Sequence, residues 1–163
     1  MLLVVPCSIH HLEMLLAGKE RFFTEFEISV AEDHELIPEL LQFSLKNLRL
    51  GTILPHWLTH MLILKEPQIM VGIAGYKGNP NPQGVVEIGY SIAKSYQGKG
   101  LATQAARTLI ERAFATKEVT VVRAHTLPQE NPSTSVLKKV GMTFIGEFED
   151  EQDEKVWRWE IHL

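Results

Sequence analysis

The sequence has a single cysteine, a small net charge and no long apolar run. Cys7 is the only cysteine among 163 residues, which excludes an internal disulfide and is typical of a reducing compartment. The net charge of −4 gives no electrostatic basis for general nucleic-acid binding. No apolar run approaches the roughly 20 residues of a membrane span, and the apolar start ends at Pro6 without the basic residues of a signal peptide. These absences predict a cytoplasmic protein that binds neither nucleic acid nor membrane.

Two common phosphate-binding motifs are also missing. No Gly-x-x-x-x-Gly-Lys-Ser/Thr run occurs, and the dinucleotide pattern Gly-x-Gly-x-x-Gly, begun by Gly98 and Gly100, fails because position 103 is Thr. Apolar residues make up 45% of the chain and charged residues 22%, both ordinary values for a globular protein. Without a linker, repeat or low-complexity segment, residues 1–163 are predicted to form one domain.

The periodicity of apolar residues predicts alternating strands and helices. Helices are expected at residues 9–16, 36–50, 100–116 and in a short segment that ends at residue 140, with Ser133, Thr134 or Ser135 as its N-cap. Strands are expected at residues 2–5, 24–30, 56–65, 69–77, 85–92, 119–126, 143–149 and 155–162. This order predicts a mixed, mostly antiparallel sheet of about 6 or 7 strands with one splayed parallel pair and helices on both faces.

The glycine-rich turn between the strand at 85–92 and the helix at 100–116 is the most informative segment. Gly98 and Gly100 allow unusual backbone dihedrals and keep side chains away from the neighbouring amides. The first N–H groups of the helix then lack partners and lie at the positive end of its dipole. Such a turn predicts a binding site for a phosphate or a pyrophosphate.

Three segments, in this order, carry a family resemblance: Val86-Glu87-Ile88-Gly89-Tyr90-Ser91-Ile92, the Gln97–Thr103 turn with its Gln-x-x-Gly-x-Ala pattern, and residues 124–142 with Asn131-Pro132-Ser133. Together they resemble the GNAT superfamily of N-acetyltransferases, and in particular its RimJ/RimL-like branch, which acetylates ribosomal-protein N-termini. The resemblance covers residues 69–163. It implies the acyl-CoA N-acyltransferase fold and acetyl-CoA as a cosubstrate, with a primary amine as the acceptor.

The resemblance and the turn together predict the residues that contact acetyl-CoA. Backbone amides of the turn would hold the pyrophosphate, and the strand before it would pair with the pantetheine amides. The resemblance assigns Asn131 to the pantetheine arm, although a turn-forming role explains an Asn there equally well. Lys99 is either a phosphate contact or a solvated loop residue, and Gln97 is expected to brace the loop. The predicted contacts are Ser91, Ile92, Gln97, Gly98, Lys99, Gly100, Leu101, Ala102, Thr103 and Asn131.

Two residues are candidates for the chemistry. Glu87 is a carboxylate in an otherwise apolar strand and is the candidate general base; a solvated charge or a partner for a lysine or arginine is the alternative. Ser133 lies where relatives carry a serine that assists the thiol, and a role as helix N-cap competes with this one. Many relatives place a tyrosine shortly after the last short helix, but this chain has only Tyr76, Tyr90 and Tyr96.

The remaining candidates carry weaker predictions. Cys7 is expected to be buried, which favours direct transfer over an acetyl-cysteine intermediate. His56 and His60 lack a third ligand, so no metal is expected, and His125 is either an acceptor-pocket residue or a core or surface histidine. Two alternatives to the enzyme stay open at this point: a non-catalytic acyl-CoA-binding module, and an unrelated nucleotide-binding α/β protein. The last hairpin would leave an exposed edge that can support a homodimer.

Overall fold

A single mixed sheet forms the centre of the molecule. The computed structural model describes all residues 1–163. The eight strands are β1 (Leu2–Pro6), β2 (Ser29–Val30), β3 (Thr59–Leu64), β4 (Ile69–Tyr76), β5 (Val85–Ile92), β6 (Val121–Thr126), β7 (Thr143–Glu149) and β8 (Lys155–His162). Seven of them follow the order β1-β3-β4-β5-β6-β8-β7, and β2 pairs with β4 in parallel.

Five α-helices cover the two faces of this sheet. They are α1 (Ile9–Ala17), α2 (Lys19–Phe26), α3 (Pro38–Leu50), α4 (Leu101–Ala115) and α5 (Pro132–Lys139). α4, the helix with the clearest apolar periodicity, buries its apolar face in a core of 21 residues together with β4, β5, β6 and β8. A second core of 11 residues lies on the opposite face under α1, α2 and α3. None of the five helices has the length and hydropathy that a membrane span requires.

The pairing of β5 with β6 is the feature of the sheet that creates the site. The two strands run parallel, joined by α4 as crossover, and their pairing covers only Val85, Val86 and Glu87 against Val121, Val122 and Arg123. Beyond Glu87 the strands separate while β5 stays paired with β4 as far as Ile92. The predicted splayed parallel pair is therefore confirmed, and the fold has the predicted class.

Several local predictions are wrong. Of residues 24–30, predicted as extended, 24–26 belong to α2 and only Ser29–Val30 form a strand. α2 begins at Lys19 and packs Phe22 and Phe26 against each other and against His11 of α1. The strand predicted from residue 56 begins only at Thr59, because Pro55–Trp57 forms a 3₁₀ turn. The sheet has eight strands, one more than the expected 6 or 7, because the two-residue strand β2 pairs with β4 on the edge opposite β3, beyond the end of β5.

Candidate functional site

The turn before α4 holds a row of backbone N–H groups without partners. Gly98 and Gly100 both have left-handed backbone conformations, with φ of 76° and 77°. None of the amides from Gly98 to Thr103 donates a hydrogen bond within the protein, and α4 has no side-chain cap. A Cβ atom at either glycine would meet no atom within 4 Å, so the space on that side of the turn is open. The turn thus has the donors and the room that a pyrophosphate requires.

A large cavity extends from this turn to the gap between β5 and β6. Its volume is about 650 Å³. All of the predicted acetyl-CoA contacts except Lys99 line it, and so do Ser133 and Tyr90. The ammonium of Lys99 lies 5.4 Å from the centre of the Tyr96 ring instead. The cavity is therefore continuous from the amide row to the splayed strands.

The backbone of β5 presents free peptide groups to the gap. Hydrogen bonds such as that from the Lys77 N–H to the Glu87 carbonyl show that Glu87, Gly89 and Ser91 direct their peptide groups to β4. Tyr90 and Ile92 therefore direct theirs to the side from which β6 has separated. The Ile92 carbonyl accepts from Gln97 Nε2 at 3.0 Å, which is the predicted bracing role of Gln97, and the Ile92 N–H faces the gap. Of the two predicted strand contacts, Ile92 can pair with a ligand through its backbone. The peptide groups of Ser91 pair with β4, so Ser91 lines the cavity without a free backbone group.

The N-terminus of α5 closes the other side of the gap. The expectation of a cap at Ser133, Thr134 or Ser135 is wrong: Asn131 is the N-cap, and its Oδ1 accepts from the Thr134 N–H at 2.9 Å. The Asn131 Nδ2 makes no hydrogen bond within the protein and lies in the cavity wall. Ser133 lies in the first turn of the helix, and its carbonyl accepts from the Tyr90 hydroxyl at 3.2 Å. Two side-chain hydroxyls, of Ser133 and Tyr90, thus lie at this end of the cavity.

Glu87 lies at the point where β5 and β6 begin to separate. Its carboxylate pairs with Lys77 Nζ of the neighbouring turn at 2.5 Å and with His125 Nδ1 of β6 at 3.1 Å. Burial alone would raise the pKa of Glu87, but the hydrogen bonds from His125 and Lys77 and their charges lower it below its ordinary value. The lowered pKa keeps the carboxylate ionised at neutral pH, and the 23% exposure of the side chain leaves it reachable by water.

His125 is held in one orientation by its neighbours. Arg158 of β8, directly opposite in the sheet, donates from Nε to His125 Nε2 at 3.0 Å. Because a guanidinium only donates, Nε2 is the acceptor, and the proton of a neutral ring lies on Nδ1, where it points at Glu87. The Arg158 guanidinium itself stacks on Phe148 at 3.9 Å. No sequence pattern connects Lys77 or Arg158 to Glu87, because only strand register brings these residues to the site.

The other candidate residues lie away from this site. Cys7 is buried, and burial raises the pKa of its thiol to about 12, which makes it a poor nucleophile. His60 is buried in β3, where its Nδ1 lies 2.9 Å from the Leu58 carbonyl, whereas His56 is exposed in the preceding turn. No three side chains of His, Cys, Asp or Glu lie close enough to hold a metal ion.

Comparison with known proteins relates both the sequence and the fold to acetyltransferases. The family model described as the acetyltransferase (GNAT) domain matches residues 2–143. The uncharacterized N-acetyltransferase p20 of Bacillus licheniformis is 28% identical over 94 residues, which are 58% of this chain and 53% of that protein. The match therefore spans about half the length of this relative.

Solved structures agree with the fold over the whole chain. A RimL ribosomal L7/L12 α-N-protein acetyltransferase in complex with coenzyme A superposes with a TM-score of 0.71 at 12% identity, over 99% of this chain and 94% of that one. The ribosomal-protein-S5-alanine acetyltransferase of Vibrio fischeri gives a TM-score of 0.69 at 16% identity, over 99% and 92%. At these identities the likeness concerns the fold.

Proposed function

The chain belongs to the GNAT acetyltransferase family, and we propose that it is an N-acetyltransferase that moves the acetyl group of acetyl-CoA directly to a primary amine. The amine belongs either to a protein N-terminus or to a small molecule. One observation carries the proposal: a row of unpaired amides opens on a cavity that continues into the gap between two parallel strands.

The cavity offers a partner to each part of acetyl-CoA. The amides from Gly98 to Thr103 bind the pyrophosphate at the positive end of α4. The free N–H of Ile92 and the Asn131 Nδ2 donate to the pantetheine carbonyls, as an added strand would. The thioester then lies between the separated strands, where an N–H of β5 stabilises negative charge on its oxygen.

Glu87 receives the proton of the attacking amine. The amine nitrogen forms a bond to the thioester carbonyl carbon, and the carbon–sulfur bond breaks as the tetrahedral intermediate collapses. The proton that the nitrogen loses passes to Glu87, either directly or through one water. His125 and Lys77 keep the carboxylate ionised and oriented before the reaction.

The leaving thiolate takes a proton at the start of α5. The hydroxyls of Ser133 and Tyr90 are the two donors there, and both are regenerated from solvent. Burial raises the pKa of Tyr90 to about 12, so its hydroxyl is protonated throughout the neutral range, and its single O–H would turn from the Ser133 carbonyl to the thiolate. Tyr90 of β5 therefore offers a phenol at the gap, although no tyrosine follows α5.

Two measurements test the proposal. Isothermal calorimetry should show binding of acetyl-CoA, and release of free CoA should be observed with members of a panel of small amines and N-terminal peptides. Ser133→Ala and Tyr90→Phe should each lower kcat, while the KM for acetyl-CoA changes less. Absence of binding at millimolar acetyl-CoA would remove the proposal.

A second candidate function is a non-catalytic acyl-CoA-binding module. The observation in its favour is that Lys77 and His125 pair with the Glu87 carboxylate and lower its pKa, which weakens it as a base. This candidate predicts tight binding of acetyl-CoA without CoA release for any amine. Turnover that falls in Glu87→Gln would exclude it.

The homodimer stays a prediction within this proposal. β7 is an edge strand, and its side chains Phe144, Ile145 and Phe148 are exposed. Sedimentation equilibrium of the wild type and of Ile145→Lys would show whether this edge pairs two copies.

A further inference from the structure

A second, smaller cavity adjoins the acetyl-CoA cavity on the other face of the sheet. Its volume is about 140 Å³, and it lies between the first turn of α3 and strands β4 and β5. Tyr90 and Ser91 line both cavities, so the two meet at the place where the thioester would lie. Its far end reaches Lys77, the partner of Glu87.

The walls of this cavity are apolar and its floor has no side chains. Ile37 and Leu40, at the N-terminal end of α3, form one wall, and both are partly exposed, at 50% and 38%. Gly75 and Gly89, directly opposite each other in β4 and β5, form the floor. Lys77 is the only charged residue in the lining.

The two floor glycines are there for different reasons. A Cβ atom at Gly75 would collide with the Leu58 carbonyl, so packing explains that glycine. A Cβ atom at Gly89 would meet only the Lys77 side chain, at 3.9 Å, and Gly89 has no left-handed backbone that would require glycine. A strand glycine without either constraint weakens the strand, and its effect here is to keep the cavity open.

We infer that this cavity selects the acceptor: it takes the single uncharged apolar group next to the reacting amine, as in an N-terminal valine or leucine residue or a small branched alkylamine. The inference rests on the proposed acetyl transfer. The volume is close to that of an engineered cavity of about 150 Å³ that binds benzene, so one aliphatic side chain fits and a tryptophan does not. An amine held at the junction of the two cavities has the thioester on one side. Glu87 lies on the other side, farther along β5.

The apolar lining disfavours a second cation in the cavity. An acceptor with a second amine, such as a polyamine or an N-terminal lysine residue, would bring its charge into an apolar pocket next to an ammonium group. The ion pair with Glu87 offsets the Lys77 charge, and no free carboxylate in the lining can pair with the second cation. The site therefore favours monoamines although the protein as a whole is acidic.

The experiment compares acceptors in one enzyme. Peptides that differ only in an N-terminal Gly, Val, Lys or Trp are assayed for CoA release, together with valinamide and spermidine. Val should exceed Gly by about tenfold or more in kcat/KM, and Lys, Trp and spermidine should fall below Val. If valinamide equals the Val peptide, the acceptor is a small molecule; if the peptide is far better, it is a protein N-terminus, and both results support the inference. Equal rates for all side chains, or a preference for spermidine, would overturn it and leave the acetyl transfer intact.

Substitutions at the cavity give a second, independent readout. Gly89→Val should fold, because the position is open and extended, and should raise the KM for the Val peptide about tenfold while the affinity for acetyl-CoA stays the same. Leu40→Ala should enlarge the pocket and improve the Trp peptide relative to Val. Leu54→Ala is the matched control, as an exposed leucine outside the cavity.

A binding measurement decides the case in which no acceptor is turned over. Valinamide should shift NMR signals of the wild-type protein in the presence of CoA, and Gly89→Val should abolish these shifts. Unchanged shifts in Gly89→Val would refute the pocket assignment, whereas failure of the acetyl-transfer proposal would show separately as absence of CoA release.

Discussion

At the scale of the residue, the environment of Glu87 determines what the site can do at neutral pH. The carboxylate is held by a lysine, a histidine and, behind the histidine, an arginine stacked on a phenylalanine. Each of these groups comes from a different strand or turn. The arrangement keeps the base ionised at the expense of its basicity, and it fixes the direction in which the carboxylate points.

Glu87→Gln should lower kcat/KM about 10²- to 10⁴-fold, the range that general-base catalysis usually contributes. Because the pKa of Glu87 lies below its ordinary value, the carboxylate is already ionised at neutral pH and does not produce a rise in rate there. The rate of the wild type should instead increase with pH along the titration of the acceptor, near about 7.7–8.0 for an α-amino group. Rates measured from pH 6 to 9 check both points.

Glu160→Gln is the matched control for that substitution. Glu160 is a similarly shielded carboxylate that pairs with Arg123 at 2.7 Å, two strands from Glu87 in the same sheet. It should leave kcat/KM within about twofold of the wild type. An equal loss in both variants would mean that the sheet, and not the base, had been damaged.

His60 should make the fold sensitive to mild acid. Burial lowers its pKa from 6.5 to about 4. Between these values the unfolded chain binds a proton that the folded protein does not, so the free energy of unfolding decreases as the pH falls. The contribution of His60 from pH 7 to pH 5.5 is about 1 kcal/mol.

Urea unfolding at the two pH values measures this effect. His60→Asn, which keeps a donor near the Leu58 carbonyl, should flatten the pH dependence by about that amount. His11 and His34, whose pKa values burial also lowers, act in the same direction, so the comparison between variants is the relevant quantity. The exposed His56→Asn should leave the pH dependence as it is, and an unchanged slope in His60→Asn would contradict the assignment.

At the scale of the element, the start of α4 joins backbone conformation to ligand binding. Gly98 and Gly100 place consecutive amides on one side of the chain, and α4 adds its dipole because its apolar face is anchored in the larger core. The site is thus made of main-chain atoms. Side-chain substitutions in the turn should matter less than changes to its backbone.

Gly100→Ala should weaken acetyl-CoA binding about tenfold or more, because an alanine disfavours the left-handed conformation that aims the amides. Gly51→Ala provides the comparison: its φ of 71° is nearly the same as the 77° of Gly100, and both positions have open space around them. Each variant should lose about 1–2 kcal/mol of stability. Calorimetry with acetyl-CoA should separate them, and equal weakening in both would assign the effect to general destabilisation.

At the scale of the whole molecule, one sheet is shared by two cores. α4 and α5 cover one face, and α1, α2 and α3 cover the other, so β1, β3 and β4 each direct residues to both cores. That residues 1–163 form one domain stays a prediction. Neither core can lose its strands without exposing the other.

Leu12→Ala and Leu109→Ala test this coupling from the two faces. Both leucines are fully buried, Leu12 in the smaller core and Leu109 in the larger. Each substitution should cost about 2–5 kcal/mol, and each should shift one common transition. Tryptophan fluorescence and far-ultraviolet circular dichroism should report the same midpoint in each variant; separate midpoints would show that the two halves unfold independently.

The sequence by itself determined the order of the elements apart from α2, the glycine turn and the carboxylate in β5. These features are local: the 3.6-residue and two-residue periods of apolar side chains, the need for glycine before a phosphate-binding helix, and the oddity of Glu87 in an apolar strand can all be seen within a few residues. For the same reason α4, β5, β7 and β8 were predicted nearly to the residue. α2 was missed because its stability comes from packing Phe22 and Phe26 on α1 and not from its own eight residues.

Only the tertiary structure decided which groups meet. Lys77, Glu87, His125 and Arg158 lie on four segments and come together through strand register, which depends on the whole sheet. The choice of Asn131 over Ser133 as the cap of α5 depends on where the chain leaves β6, and the acceptor cavity depends on how α3 rests on β4 and β5. Contacts between residues far apart in the chain are set by the packing of the completed sheet, and no local pattern encodes them.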